Sequence, residues 1–342
     1  MPFDEGRDSL QPGRALTGPV LITGATGFVG SHVADRLARF DVTVRALVRR
    51  TSDTRRLRAL GVELIEGSLS DEDSVRRAVQ GAAAVVHLGA LTRARTEAEF
   101  QHVNGEGTAM LVRAAASADP RPRRFVYLSS LAAVGPPVDG KPVRPDDPAR
   151  PITAYGRSKR FGETACLDAA DVLDIAVLRA PAVYGPGDRD LYTFFRLASL
   201  GVLPMPAGPV RPLQLVHIED LVDAVVRALS APAGTGIVHI AEERAYAWEQ
   251  VARLVADAVG SRARVVRIPV ALFRFCAAAS EGVARITRSA TIFNRDKARE
   301  LLAPGWLCET EEAFKRLGFR ARITLPEGLT RTADWYRNEG WL

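Results

Sequence analysis

The stretch Val20-Leu21-Ile22-Thr23-Gly24-Ala25-Thr26-Gly27-Phe28-Val29-Gly30 sets the architecture of the chain. Its apolar beginning predicts a buried strand, and the residues from Ser31 to Leu37 predict a helix. Gly24 permits a tight turn, Gly27 lets the backbone approach a pyrophosphate, and Gly30 lets the helix pack closely on the strand. Free N–H groups at the start of such a helix bind phosphate. The order of strand, glycine turn and helix therefore predicts a dinucleotide site.

Strand and helix patterns alternate through the first half of the chain. This alternation predicts the α/β class, with a Rossmann-type, doubly wound parallel sheet and right-handed crossovers. Ligands of such a sheet bind at the carboxyl ends of its strands. Further predicted strands are 42–48, 62–65, 84–88, 125–128 and 175–178, and predicted helices are 31–40, 52–60, 71–79, 107–117 and 154–167.

A second pattern places Tyr155 and Lys159 four residues apart, on one face of a predicted helix. A phenol with a pKa of about 10 is a poor acid or base at neutral pH, and a nearby ammonium lowers that pKa. Only four of the 46 basic residues are lysine, which suggests that a compact ammonium is required here. The spacing indicates a proton-transfer pair. Taken alone, it is also compatible with a chance pairing on an amphipathic helix.

Together, these two motifs resemble the extended short-chain dehydrogenase/reductase family, of the NAD-dependent epimerase/dehydratase type. The dihydroflavonol-reductase and 3β-hydroxysteroid-dehydrogenase-like branch is nearest, and the resemblance covers the chain from about residue 18 onward. It implies a Rossmann domain of residues 19–182 plus 213–241 and a smaller C-terminal substrate lobe of residues 183–212 plus 242–342. Residues 1–18 are expected to form a loose tail. Further matches, in family order, are Val86-His87-Leu88-Gly89-Ala90, Asn104-Gly105-Glu106-Gly107-Thr108, Val126-Tyr127-Leu128-Ser129-Ser130, Leu178-Arg179-Ala180-Pro181-Ala182-Val183-Tyr184-Gly185-Pro186-Gly187 and Val216-His217-Ile218-Glu219-Asp220-Leu221.

The resemblance also implies catalytic roles. Tyr155 would be the general acid in carbonyl reduction and the general base in alcohol oxidation. Lys159 would lower the pKa of Tyr155 and hold the nicotinamide ribose, while Ser130 would hydrogen-bond the substrate oxygen. Ser129 competes for that last role, and Ser130 ranks higher because it aligns with the family's serine. The implied cofactor-binding residues are Gly24, Thr26, Gly27, Phe28, Gly30, Arg49, Ser68, Leu69, Gly89, Ala90, Tyr155, Lys159, Pro181 and Val183.

The end of the second predicted strand bears on the choice of cofactor. An acidic residue there would bind the ribose 2′-OH of NAD, but this strand runs into Arg49-Arg50. A guanidinium can pair with a 2′-phosphate, so the sequence favours NADP over NAD. Alternatively, Arg49 stacks over the adenine and tolerates NAD. Ser68 stands where relatives often carry an aspartate, which leaves that adenine contact open.

Three functions remain open. The leading one is an NAD(P)-dependent oxidoreductase that interconverts a secondary alcohol and a ketone. A nucleotide-sugar epimerase with tightly bound NAD is the alternative. A non-catalytic dinucleotide-sensing protein comes third, since the presence of Tyr155 and Lys159 argues against it. Sugar 4,6-dehydratases of the family carry a Thr-Asp-Glu run at the serine turn, which Ser129-Ser130-Leu131 lacks.

Composition limits the partners. The net charge of +6 comes from arginines interleaved with 40 acidic residues, so we expect a small-molecule substrate and no nucleic acid; a homodimer is possible. Three cysteines far apart and five scattered histidines predict neither a disulfide framework nor a metal site. Residues 1–18 are polar and contain no apolar segment that could serve as a signal peptide, so we expect a cytoplasmic protein without an integral membrane segment.

Two segments are expected to border the substrate. Residues 135–152 are rich in Pro, Asp and Gly and predict a long loop at the rim of the pocket. The apolar run from Pro269 to Ala279 contains Arg274 and is too short to span a bilayer. A packed helix is its simplest interpretation, and roofing a hydrophobic pocket, or contact of residues 269–288 with a membrane surface, is the alternative.

Overall fold

Strands and helices alternate along the chain, as a computed structural model of residues 18–231, 233–234, 236–287, 291 and 293–342 shows. The strands are β1 (Val20–Thr23), β2 (Val44–Val48), β3 (Glu63–Glu66), β4 (Ala84–His87), β5 (Arg124–Ser130), β6 (Ile175–Ala180), β7 (Ala182–Tyr184), β8 (Val202–Pro206), β9 (Pro212–Leu213), β10 (Leu215–His217), β11 (Gly236–His239), β12 (Tyr246–Ala247) and β13 (Arg264–Ile268). The helices are α1 (Phe28–Ala38), α2 (Arg55–Ala59), α3 (Glu72–Val79), α4 (Glu97–Phe100), the π-helical segment Gln101–Glu106, α5 (Gly107–Ser117), α6 (Leu131–Val134), α7 (Ala154–Asp168), α8 (Tyr192–Ser199), α9 (Ile218–Ser230), α10 (Trp248–Val259), α11 (Val270–Ile286), α12 (Arg295–Leu302), α13 (Glu311–Leu317) and α14 (Leu325–Asn338).

Seven parallel strands form the central sheet in the order β3-β2-β1-β4-β5-β6-β11. The strand order reverses between β1 and β4, where Val20 lies between Val44 and Ala84. The predicted α/β class and Rossmann-type parallel sheet are therefore confirmed. Helix α5 has the predicted ends, and the ends of the other predicted elements shift by up to three residues. Such shifts are expected, because apolar periodicity locates an element better than its ends.

Helices cover both faces of the central sheet. Helices α1 and α9 pack together over one face, and α3, α5 and α7 lie over the other. Strands β1 and β4 are buried along their whole length, which explains why they read as unbroken apolar runs. The carboxyl ends of these strands carry the glycine turn and the His87-Leu88-Gly89 segment.

A separate hydrophobic core joins parts of the second half of the chain. It includes Phe195, Leu203, Leu325 and Tyr336, and helices α8 and α14 both pack against α10. Ala313 and Leu317 of α13 instead join the core of the central sheet. The predicted division into residues 19–182 plus 213–241 and 183–212 plus 242–342 stays a prediction.

Helix α11 forms the predicted packed helix and pairs with α12. Phe273, Ala277 and Ala298 build a small core between the two helices. Within the ranges given above, no helix combines the length and the apolarity needed to cross a bilayer. Residues 1–17 of the predicted tail, and residue 288 of the predicted membrane-contacting segment, lie outside the described residues.

Candidate active site

The glycine turn after β1 leaves no room for side chains. A Cβ on Gly24, whose φ is +75°, would lie 2.7 Å from the Cα of Gly89, and one on Gly30 would lie 2.1 Å from the carbonyl oxygen of Gly24. A Cβ on Gly27 would lie 3.2 Å from that same oxygen. Helix α1 then begins with no side-chain cap and no acidic residue in its first turn. This open, uncapped helix start fits the pyrophosphate of a dinucleotide.

A buried chain of hydrogen bonds runs beneath this turn. The Gly89 N–H donates to Thr23 Oγ1 at 3.2 Å, and Thr23 Oγ1 lies 2.6 Å from His87 Nδ1. His87 Nε2 lies 2.8 Å from Thr108 Oγ1, which itself donates to the Asn104 carbonyl at 2.5 Å. Because the Thr108 proton is used there, Nε2 must carry the imidazole proton and donate it. Burial lowers the pKa of His87 to about 3, so the ring is neutral.

The π-helical segment positions the Asn104 side chain between the loop after β4 and helix α7. Its Oδ1 accepts from the Leu91 N–H at 2.7 Å, and its Nδ2 donates to the Leu91 carbonyl at 2.9 Å and to Ser158 Oγ at 3.1 Å. Asn104 belongs to one of the family motifs in the sequence, but it was not predicted as a site residue. The irregular helix that orients it has no sequence signature, although such segments are frequent at functional sites.

Ser130 and Tyr155 meet where β5 ends. The Ser130 hydroxyl interacts with that of Tyr155 and opposes the rise in its pKa, and Ser130 Oγ accepts from the Ala132 N–H at 3.1 Å as the cap of α6. Ser129 points elsewhere and donates to Glu163 Oε1 at 2.7 Å in the core. The structure therefore brings Ser130, and not Ser129, to the tyrosine, although the catalytic role of Ser130 stays a prediction.

Lys159 does not lower the pKa of Tyr155 in this structure, contrary to the prediction. Burial, with a smaller contribution from Glu300, raises the pKa of Tyr155 to about 12. The Lys159 ammonium donates to the Leu128 carbonyl at 2.6 Å and lies 4.2 Å from the centre of the Tyr127 ring. Burial lowers the pKa of Lys159 to about 7. The predicted lowering of the phenol pKa is absent, because burial raises that pKa and the Lys159 ammonium is directed at the Leu128 carbonyl.

A buried ion pair supports the helix that carries Tyr155 and Lys159. Arg179 Nε and Nη2 donate to the two carboxylate oxygens of Glu163 at 2.8 and 2.9 Å. Arg179 Nη1 also donates to the Pro145 carbonyl at 3.1 Å, within the predicted rim loop. Burial opposes ionisation of Glu163, but the Arg179 guanidinium outweighs it and lowers the pKa of this carboxyl. The pair fixes α7 against β6 and against the loop.

Helix α12 approaches the same site from the far end of the chain. The Asp296 carboxylate accepts from the Ala154 N–H at 2.7 Å, and the Glu300 carboxylate accepts from Lys297 Nζ at 3.1 Å. Glu300 contributes to the raised pKa of Tyr155. The sequence did not predict that Asp296, Lys297 and Glu300 lie near the site, because no recognisable pattern surrounds them.

Two arginines extend from the end of β2. Arg49 and Arg50 are exposed, and neither side chain forms a hydrogen bond or ion pair with the residues that the structure describes. Arg55 differs, since it pairs with Asp53 at 2.6 Å and holds the pKa of that carboxyl at about 2. Two guanidinium groups are thus available to an anion beside the dinucleotide turn. Ser68 Oγ lies 2.8 Å from Ser70 Oγ, in a turn after β3.

The other predicted cofactor residues lie along one edge of the sheet. Leu69 lies beside Gly89, where its Cδ1 would be 3.2 Å from an added Cβ. Pro181 and Val183 follow β6, and Phe28 packs edge-on against His32 at 5.7 Å. Thr26 and Ala90 lie in the turns after β1 and β4. All of them follow carboxyl ends of parallel strands, where ligands of such sheets bind. Their roles stay predictions.

Within the described ranges, no group of three or more His, Cys, Asp or Glu side chains is arranged to hold a metal ion. Cys166 and Cys308 are buried, and Cys276 is exposed.

Comparison with known proteins identifies the family of the chain. Residues 20–241 match the NAD dependent epimerase/dehydratase family. A ceramide reductase of Caulobacter vibrioides is 34% identical over 328 residues, which cover 95% of this chain and 96% of that protein. The 4-hydroxy-2-methyl-3-oxo-4-farnesyl-3,4-dihydroquinoline-1-oxide ketoreductase of Stigmatella aurantiaca is 26% identical over 328 residues, which cover 90% and 93%. The crystal structure of gox2253 has a TM-score of 0.78 and 26% identity, covering 95% of this chain and 99% of that one.

These matches extend over the central sheet and beyond it, and they agree with the glycine turn. The predicted resemblance to extended short-chain dehydrogenases/reductases is confirmed. The chain belongs to the NAD-dependent epimerase/dehydratase family, whose members among its relatives are reductases, epimerases and dehydratases.

Proposed function

We propose that this protein is an NADP(H)-dependent reductase that interconverts a ketone and a secondary alcohol. The observation that supports it most is the meeting of the Ser130 and Tyr155 hydroxyls at the end of β5, with Lys159 one helical turn further on. These groups lie at the sheet edge that also carries the glycine turn. When bound, a nicotinamide cofactor supplies or accepts the hydride.

In the reductive direction, Tyr155 acts as the proton donor. Its pKa of about 12 keeps the phenol protonated at neutral pH, so the proton is present when the carbonyl oxygen gains negative charge. Ser130 donates the second hydrogen bond to that oxygen, and two such donors in a site with little water stabilise the developing charge. In the oxidative direction, Tyr155 must first lose its proton, which its burial makes unfavourable near neutral pH.

Lys159 is assigned two tasks. It stabilises the phenolate that Tyr155 becomes after proton transfer, and it binds the nicotinamide ribose. Its ammonium is held by the Leu128 carbonyl, and the Glu163 carboxylate favours its charged form against burial. The ion pair of Glu163 with Arg179 thus keeps a negative charge one turn beyond Lys159 on the same helix.

The preference for NADP over NAD rests on Arg49 and Arg50. Both are exposed, and neither is engaged by an acidic side chain of the described residues. A 2′-phosphate offers them a charge-assisted contact that a ribose hydroxyl does not. Arg49 makes the primary contact, and Arg50 is near enough to compensate in part.

The substrate class comes from the relatives' names. A ceramide reductase is similar to this chain over nearly its whole length, and a second relative is a ketoreductase whose named compound carries a 3-oxo group and a farnesyl chain. We infer that this protein reduces a ketone on a long-chain or isoprenoid lipid. A ceramide whose secondary alcohol has been oxidised to a ketone is the first substrate to test.

The test uses purified full-length protein with NADPH and the keto-ceramide in detergent. Loss of NADPH absorbance together with formation of the secondary alcohol, detected by mass spectrometry, would support the proposal. A sterol ketone and a short-chain ketone serve as controls for the substrate class. No oxidation of NADPH or NADH with any of these ketones would contradict it.

The epimerase alternative is tested on the same preparation. An epimerase returns its hydride to the substrate, so it would retain NAD(H) tightly and isomerise a nucleotide sugar with no net change in cofactor. Nucleotide extracted from the purified protein separates the two functions. Exchangeable NADP(H) supports the reductase, whereas tightly retained NAD(H) favours the epimerase.

A further inference from the structure

Helix α11 has two apolar faces, and one of them is exposed. Phe273 and Ala277 are buried against α12. On another face, the side chains of Leu272, Phe275 and Val283 are 50%, 69% and 60% exposed. Cys276 and Ala279 are also exposed, and they complete a stripe with the three- and four-residue spacing of one helical face. We name Leu272, Phe275, Cys276, Ala279 and Val283 the outer stripe.

Further exposed apolar side chains lie on the strand pair that leads into this helix. Val202 of β8 and Val266 of β13 are both exposed, and Val266 stands opposite Pro204 in the parallel register. Ile268 lies two residues after Val266, on the same side of the strand, and packs into the core between α11 and α12. The exposed valine therefore faces the side on which the helix pair packs.

Positive charge predominates in the chain segment that contains the outer stripe. Residues 261–287 contain five arginines and a single acidic residue, Glu281. Arg267 pairs with Glu249 at 3.1 Å. The exposed side chains of Arg262, Arg264 and Arg274 form no hydrogen bond or ion pair with any residue that the structure describes. An apolar stripe in a segment with uncompensated guanidinium groups matches the chemistry of an anionic lipid surface.

We propose that the outer stripe and its neighbouring arginines dock this protein on an anionic phospholipid surface. The apolar side chains enter the boundary between headgroups and acyl chains, and the guanidinium groups contact lipid phosphates. The helix that packs on the inner face of α11 is α12, and its Asp296 contacts Ala154 beside Tyr155. Docking would thus hold the candidate active site two helices away from the lipid that it is proposed to reduce.

A second copy of the chain fits the outer stripe less well. Three large, partly exposed side chains provide roughly a few hundred Å² of apolar surface, whereas a stable interface needs about 800 Å² from each partner. A second copy would also add its own unpaired arginines to a segment that already carries an excess of positive charge. Lipid phosphates instead offset that charge.

Vesicle binding of the full-length protein tests the proposal without any substrate. We expect cosedimentation with vesicles of equal parts phosphatidylcholine and phosphatidylglycerol, weaker binding to pure phosphatidylcholine, and weakening by salt. Phe275→Ser should lower the partition coefficient about tenfold or more, and Arg274→Gln about fivefold. Phe314→Ser removes another exposed phenylalanine, 44% exposed and located on α13, and should leave binding unchanged. Thermal unfolding of each variant shows whether it is folded.

Cys276 provides a second, direct readout. Cys166 and Cys308 are buried, so a thiol-reactive, polarity-sensitive fluorophore should label Cys276. We expect its emission to shift to the blue with the anionic vesicles. The double variant Cys276→Ser with Ser117→Cys moves the label to the exposed end of α5 and should show no shift.

Equal binding by the wild type and folded Phe275→Ser, or no blue shift at Cys276, overturns the proposal. A different pair of results would make the stripe a self-association surface instead. In that case the wild type does not bind vesicles, and light scattering shows a wild-type dimer that Phe275→Ser has lost. Docking does not depend on the proposed reaction, because the reduction of detergent-dispersed ketones is measured separately. A negative result for vesicle docking therefore does not decide the proposed reaction, and a negative result for the reaction does not decide docking.

Discussion

The Asp296 carboxylate on α12 accepts a hydrogen bond at 2.7 Å from the backbone N–H of Ala154, the residue before Tyr155. The free N–H groups at a helix start carry partial positive charge, so a carboxylate is favourable there. This contact joins two segments 142 residues apart in the chain. It anchors the α11–α12 pair directly to the helix that carries the proposed proton donor.

Asp296→Ala should separate α12 from α7 and weaken substrate binding. A hydrogen bond to a charged group contributes about 1.5–3 kcal/mol, which corresponds to about a 10- to 100-fold rise in the KM of the keto substrate. Cofactor affinity should stay unchanged, because the glycine turn lies after β1. The control Asp334→Ala removes an exposed carboxylate of α14 that pairs with Arg337. An unchanged KM in folded Asp296→Ala would exclude this anchoring role.

Glu300→Gln should move the pH profile of alcohol oxidation to lower pH. The negative charge of Glu300 helps to raise the pKa of Tyr155, so its removal makes the phenolate accessible at lower pH. The rate of oxidation, followed from neutral to alkaline pH, measures this shift. Glu312→Gln is the matched control, since Glu312 forms a similar pair with Lys315 on α13. Identical profiles for Glu300→Gln and wild type would show that Glu300 does not influence the proton transfer.

Replacing Arg49 and Arg50 should change the cofactor preference. Loss of a charge-assisted contact to the 2′-phosphate should weaken NADP binding about 10- to 100-fold. NAD binding should change little, and Arg49→Asp should push the preference further toward NAD. Calorimetric titration of the wild type and of the double alanine variant measures both affinities. An unchanged ratio in the double variant, or equal affinities in the wild type, argues against NADP as the cofactor.

Acid should destabilise the fold through its buried histidines. Burial lowers the pKa of His87 to about 3, and of His217 and His239 to about 4, all below the ordinary value of 6.5. Between pH 6.5 and about 4 the unfolded chain therefore binds protons that the folded chain does not. The free energy of unfolding must then fall as the pH falls through this window. Asp188, whose pKa burial raises to about 6, opposes this change in part.

Urea unfolding of His87→Gln and wild type, measured across this pH window, isolates one histidine. The slope of the unfolding free energy against pH should be smaller in the variant than in the wild type by about 1.4 kcal/mol per pH unit. An equal slope in both proteins would show that His87 is not buried in its neutral form.

Much of the central sheet could be predicted because its signals are local. The unbroken apolar runs of β1 and β4 reflect burial on both faces, and the spacing of Gly24, Gly27 and Gly30 reflects backbone crowding that a side chain would prevent. The choice of Ser130 over Ser129 followed the family motif. Alternation along β5 explains it physically, since neighbouring residues of a strand point to opposite faces.

The rest of the site depends on contacts between distant segments. Asp296, Lys297 and Glu300 reach α7 only through the packing of α12, and nothing in their local sequence marks them as neighbours of Tyr155. The expected lowering of the Tyr155 pKa illustrates the same limit. Helical spacing places Lys159 near Tyr155, but burial and the Leu128 carbonyl determine what its charge does.

Turnover of Tyr155→Phe tests the central claim most directly. This change removes one hydroxyl and its interaction with Ser130 while keeping the ring that packs against Phe100 at 5.9 Å. General acid–base assistance is worth typically 10²–10⁴-fold, so we expect kcat for the keto substrate to fall by about that factor while cofactor affinity stays nearly unchanged. A folded Tyr155→Phe variant with near-wild-type kcat would contradict the assignment of Tyr155 as the proton donor.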